Sequence, residues 1–173
     1  MTVTSENTRR SVLAGIPAAG ALLIFGCGPA ERAEGSKASG EGSSRAAINA
    51  TAMTVYRDPN CGCCKSWAEN ARRAGYKPTV VDRQDMPAIK VKLGVPADLA
   101  SCHTTLIAGY VVEGHVPMAD VKRLVAARPR GVKGIAVPGM PIGSPGMEAP
   151  DGATEDFTVM AFDEAGRAVP FTT

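Results

Sequence analysis

Aromatic side chains make up only 5% of this 173-residue chain, which leaves almost no platform on which nucleic-acid bases could stack. Charge of one sign is equally scarce: 19 basic residues against 17 acidic give a formal net charge of +2. The basic residues are scattered, with no basic face carrying polar or aromatic readers, so nucleic acid is not expected as a partner. No Ser/His/Asp set, phosphate-cradling loop or pair of carboxylates spaced for acid–base work is present, and hydrolase or transferase chemistry is not expected. Long apolar runs are also missing. The longest, Val12 to Gly26, has 15 residues, short of the ~20 that a spanning helix needs. What the chain does have is 45% hydrophobic residues and five cysteines. The first figure suits a globular domain with a real core.

The N-terminal run reads as an address. Thr8-Arg9-Arg10-Ser11 precedes it and resembles a twin-arginine export signal, while Gly15, Pro17 and Gly20 weaken a permanent helix. Residues 1–26 are therefore expected to be an export signal peptide, and the periplasm the destination. Ile24-Phe25-Gly26-Cys27 resembles a lipobox, where a lipoprotein is cut and acylated at its cysteine. Two outcomes stay open: a membrane anchor on Cys27, or cleavage nearby and release. Residues 27–50, rich in Gly, Ser, Ala, Glu and Lys, bury too little to offset their ordering entropy and are expected to form a flexible linker. The domain proper is expected over 51–173.

Periodicity outlines that domain. Met53 to Asp58 alternates and is rich in strand formers. Lys65 to Ala74 is helical, with Cys64, Trp67, Ala71 and Ala74 on one face. Pro78 to Asp82 is a second strand, and Asp85 is placed to cap a short helix through Leu93. Thr104–Ile107 and Tyr110–Glu113 form a hairpin turning at Ala108-Gly109. Pro117 opens a helix with Val121, Leu124 and Val125 as its apolar stripe. The order β-α-β-α-β-β-α, with cysteines between first strand and first helix, is an α/β pattern that resembles the thioredoxin-like fold. Beyond it, Gly131 to Pro150 reads as a Pro/Gly/Met-rich loop. Phe157–Phe162 and Arg167–Phe171 read as a C-terminal hairpin extension.

Four of the cysteines carry the chemistry. Cys61 and Cys64 form a C-x-x-C with Cys63 inside it, and Cys102 lies 38 residues beyond Cys64. At a helix N-terminus, unpaired N–H groups and the helix dipole favour thiolate over thiol. Thiolates are what soft ions such as Cu(I) prefer. Three thiolates within four residues crowd a single tetrahedral ion, so bridging sulfurs and a multinuclear Cu(I) cluster are the expectation. Two alternatives stand beside it. A structural disulfide framework fits poorly, because clustered cysteines close almost no loop. A thiol–disulfide oxidoreductase working through Cys61 and Cys64 fits better. Against it, His103-Thr104 stands where thioredoxin-like enzymes carry a cis-proline.

Cys61-Gly-Cys-Cys-Lys-Ser-Trp67, Ser101-Cys-His-Thr104, Tyr110-Val-Val-Glu-Gly-His-Val-Pro117 and Val137-Pro-Gly-Met-Pro-Ile-Gly-Ser-Pro-Gly-Met147 together resemble the CopG-like periplasmic copper-resistance proteins. The resemblance runs from about Thr51 to the C-terminus. It implies a thioredoxin-like fold, copper binding through Cys61, Cys63, Cys64 and Cys102, and a role in copper handling with other periplasmic copper proteins as partners. Met140 and Met147, soft thioethers on the Pro/Gly-rich loop, are either accessory donors or packing. His103 is an accessory candidate beside Cys102. His115, a lone histidine, is expected to be structural, and Trp67 to be core.

Overall fold

The computed structural model describes residues 51–172. The chain divides into two units, Met1–Ser36 and Lys37–Thr173, and the described residues belong to the second. The signal peptide, Cys27 and the linker lie outside the described residues.

The elements are β1 (Ala52–Arg57), α1 (Gly62–Arg73), β2 (Lys77–Asp82), α2 (Met86–Leu93), a 3-10 turn at Ala97–Leu99, β3 (His103–Ile107), β4 (Tyr110–Glu113), α3 (Met118–Ala127), β5 (Gly134–Ala136), β6 (Met160–Phe162) and β7 (Ala168–Pro170). The seven strands form one sheet in the order β2-β1-β3-β4-β5-β6-β7. β1 runs parallel to β2 and antiparallel to β3; β4 and β5 are parallel, and the remaining neighbours are antiparallel. The fold is a mixed α/β architecture built on that sheet, with the expected β-α-β-α-β-β-α order over its first part.

Strand alternation sorts the core onto two faces. Val112, Ile135 and Ala161 join Trp67, Ala71, Val121 and Leu124 in the larger cluster. Their neighbours Val111, Ala136 and Phe162 turn the other way, to Val95 and Leu99. Helices α1 and α3 thus pack on one face, and the segment after α2 on the other. The α1 stripe is Cys64, Trp67, Ala68 and Ala71, at the spacings that keep one helical face inward. Ala74 is not part of it; it is the exposed C-cap. Asp85 does stand at the N-cap of α2, but its side chain makes no capping bond.

The stretch read as a loop over Gly131–Pro150 contains a strand. β5 inserts between β4 and β6, and all three of its residues are buried. Its apolar run is too short, and too closely flanked by glycine and proline, to announce itself. Gly134 is there for space: a Cβ would lie 2.3 Å from the Val111 carbonyl oxygen and 2.6 Å from the Phe162 ring. The terminal hairpin is shorter than expected, at three residues per strand, and continues the same sheet. Arg123 holds the tail by lying 4.7 Å from the Phe171 ring centroid, a cation–π contact.

Candidate metal centre

The cysteine loop is tied at both ends before any ligand is considered. Cys61 N–H donates to the Asp58 carbonyl at 3.0 Å, and Arg57 Nη1 donates to the Cys61 carbonyl at 2.9 Å. Cys61 is the N-cap of α1, its sulfur accepting from the Cys64 N–H at 3.3 Å. The three sulfurs are thereby gathered at the N-terminus of a twelve-residue helix.

Cys102 arrives from the opposite side, in the irregular step before β3. Its Sγ lies 3.8 Å from Cys63 Sγ, and Cys63 Sγ lies 3.5 Å from Cys61 Sγ. All four sulfurs fall within 4.8 Å of one another. Two thiolates about 2.3 Å from a shared tetrahedral ion stand roughly 3.8 Å apart, so the spacing fits donors to common ions. Cys61 and Cys64 are joined as a disulfide, and Cys63 and Cys102 are free thiols. All four can act as thiolates only after two electrons have reduced that bond.

Two histidines back the fourth cysteine. His115 Nε2 is 3.0 Å from Cys102 Sγ, and His115 Nδ1 is 2.8 Å from the Pro145 carbonyl oxygen. A carbonyl only accepts, so Nδ1 carries the proton. Burial holds the His115 pKa below its usual value, partly offset by Pro145 and Glu148. The ring is therefore neutral, and its Nε2 lone pair faces the sulfur. Burial also pushes the Cys102 thiol up to about 12, helped by Cys63, so near neutral pH Cys102 S–H donates to His115 Nε2. His103 is completely buried, its Nδ1 3.4 Å from Cys102 Sγ. Its pKa is held well down by burial, then by His115 and Lys90. Its Nε2 has no hydrogen-bond partner among the described residues. Cys102, His103 and His115 thus form a second donor group sharing one sulfur with the first.

A cysteine cluster able to hold a metal is accordingly present, with imidazole nitrogens at its edge. Two solved structures are similar to the chain, both of a copper resistance protein CopG, in forms designated 1 and 2. Each is 45% identical and covers 69% of this chain, with 93% and 94% of the solved chains covered and TM-scores of 0.64 and 0.65. This chain belongs to the CopG family. A family profile described as a protein of unknown function, DUF411, matches residues 99–147. No curated protein matches.

In this CopG-family chain the matched segment supplies Cys102, both histidines and the loop that covers them. That loop is a strap laid across the start of α1. Pro145 accepts from His115, Gly146 lies against Cys63 and Trp67, and Asn70 Nδ2 donates to Glu148 Oε1 at 3.0 Å. Gly146 has φ +90°, and a Cβ there would sit 2.8 Å from the Cys63 carbonyl oxygen and 2.8 Å from the Trp67 nitrogen. Both obstacles are backbone, so Gly146→Ala is expected to cost about 1–3 kcal/mol and to lower the melting temperature. A melt within a degree of the parent would show that the strap does not bear on the helix.

The expected accessory methionines divide. Met140 is half-exposed and lines a groove with Pro138, Pro141, Glu155, Phe157 and Met160. Met147 is a partly buried strap residue whose N–H donates to Ser144 at 2.8 Å. His115, expected to be structural, stands nearer Cys102 than His103 does. The hairpin register carried the signal: Thr104 pairs with Glu113, and two residues outward on each strand that alignment sets Cys102 opposite His115.

Proposed function

We propose that this protein binds Cu(I) through Cys61, Cys63, Cys64 and Cys102, with bridging thiolates holding more than one ion, and serves copper handling or resistance in the periplasm. The single observation carrying this reading is the convergence of four sulfurs from two separate segments within 4.8 Å of one another in a CopG-family chain, with Cys63 at shared-ligand distances from Cys61 and Cys102. Soft thiolates select Cu(I) over harder ions. His115, with its lone pair already aimed at the cluster, is the first nitrogen donor in reach, and His103 the second. The order β-α-β-α-β-β-α and the cysteine loop at the start of α1 support a thioredoxin-like reading of the fold. The Arg9-Arg10 signal supports export, and Cys27 is the residue that acylation would use to anchor the protein to the membrane.

The Cys61–Cys64 disulfide favours a second reading, a thiol–disulfide or copper-coupled oxidoreductase. In the copper-coupled form two thiolates become one disulfide and two Cu(II) become two Cu(I), so electrons balance. An anaerobic Cu(I) titration of the reduced protein against a chelator, run beside a test-disulfide reduction assay, separates the two. The copper-binding reading expects several ions per chain and little turnover of the test disulfide. One ion or none, with turnover dependent on Cys61 and Cys64 alone, would replace it by the second.

Proton release gives a further expectation. Because Cys102 is a thiol near neutrality, its entry into the metal site displaces its one proton, however many ions it then bridges. Cu(I) affinity should therefore rise with pH by about tenfold per unit on account of this residue alone. An affinity independent of pH between about 6 and about 8 would place Cys102 outside the bound set.

A further inference from the structure

Cys61, Cys63 and Cys64 take their places from helix α1. Cys102 has no such support, since it falls between the 3-10 turn and β3. What holds it is a buried polar network that the donor set does not itself require. Glu113, at the end of β4, is completely buried. Its Oε1 accepts from Lys90 Nζ at 2.5 Å and from the Ser101 N–H at 2.7 Å, and its Oε2 accepts from the Thr104 hydroxyl at 2.6 Å. Lys90 Nζ also donates to Thr104 Oγ1 at 3.1 Å. The network thus grips the residue immediately before Cys102 and the second residue after it.

Burying such an ion pair carries a desolvation cost that an apolar pair of equal volume would not. Stability alone does not account for it, and fixed geometry does. A carboxylate with three directed donors sets where the Ser101 peptide lies, and hence where the next side chain starts. The Ser101 hydroxyl adds a bond to the Gly139 carbonyl, tying the same residue to the segment leading into the strap.

We infer that Glu113 and Lys90 are positioning residues that hold Cys102 in register with Cys63 and His115, so that the fourth sulfur meets the metal without rearrangement. The consequence for metal rests on the copper-binding reading; the positioning itself does not.

The test uses the full chain and two readouts. One is the alkylation rate of Cys102 in metal-free protein with the Cys61–Cys64 disulfide intact, with Cys63 as internal control. The other is the Cu(I) affinity of the reduced protein by chelator competition. The double variant Lys90→Met/Glu113→Leu removes both charges together and so avoids stranding either. It should keep the far-UV signature of the fold, yet Cys102 should be alkylated about tenfold faster and Cu(I) affinity should fall about 10–100-fold. Lys90→Arg, which keeps the charge, should restore both values towards the parent. Should the double variant not fold, Glu113→Gln carries the same measurements at unchanged side-chain volume. A folded variant with Cys102 reactivity and Cu(I) affinity both within about twofold of the parent would overturn the inference. If the parent itself bound no Cu(I), the copper reading would fall while Cys102 reactivity still decided the positioning role.

Discussion

Cys102→Ser should weaken Cu(I) binding by about 100-fold or more, beyond the ~10–100-fold typical of losing an outer-shell partner, and leave the fold essentially unchanged. Cys102 is the only sulfur of the cluster not supplied by the start of α1, and it alone touches both Cys63 Sγ and His115 Nε2. Serine keeps its size but offers a hard oxygen that stays protonated, and Cu(I) discriminates against such a donor. The side chain is only partly buried, so the exchange creates little cavity. Chelator competition on the reduced protein measures the affinity, and a thermal melt measures the fold. If affinity falls only alongside a lower melting temperature, the residue is acting through structure rather than as a donor.

Trp67→Ala should be the most damaging single change to stability. Trp67 is the bulkiest fully buried side chain of the domain, and its Nε1 donates to the Val116 carbonyl at 3.0 Å. Truncating a core aromatic costs about 3–5 kcal/mol, and stranding the Val116 carbonyl adds about 1 more. Against a total of about 5–15 kcal/mol for a domain of this kind, the variant would be marginal or unfolded. The site would suffer too, because the indole packs against His103 at 4.8 Å between ring centroids. Trp67→Phe keeps most of the volume and forfeits the hydrogen bond, and should cost about 1–2 kcal/mol. Denaturant midpoints for the two variants give the comparison; similar values would mean the core closes over the gap.

The sequence speaks clearly where local pattern and tertiary role agree. Helix α1 shows its apolar stripe because Trp67 and Ala71 face the sheet, and the β3–β4 hairpin shows its turn at Ala108-Gly109. Strand β5 is silent because its place in the sheet is set by neighbours already there: Gly134 is needed to pass Val111 and Phe162, and a glycine among prolines reads as loop. The same division holds at the site. The C-x-C-C spacing announces a sulfur cluster, and Cys102 follows from its position before a strand. Glu113 and Lys90 read as ordinary charges on a strand and a helix, since nothing local says that both are turned inward. Nor does composition reveal that Gly146 returns to lie on α1 and Pro145 to meet His115. Those contacts are made across the fold, and only the hairpin register held a hint of them.

The most direct test of the account is copper K-edge X-ray absorption on the reduced, Cu(I)-loaded protein, compared with the Cys102→Ser form. Thiolates bridging several ions predict a first shell dominated by sulfur, with copper–copper scattering that weakens when Cys102 is lost. A shell of nitrogen and oxygen without copper–copper scattering, unchanged in the variant, would contradict it.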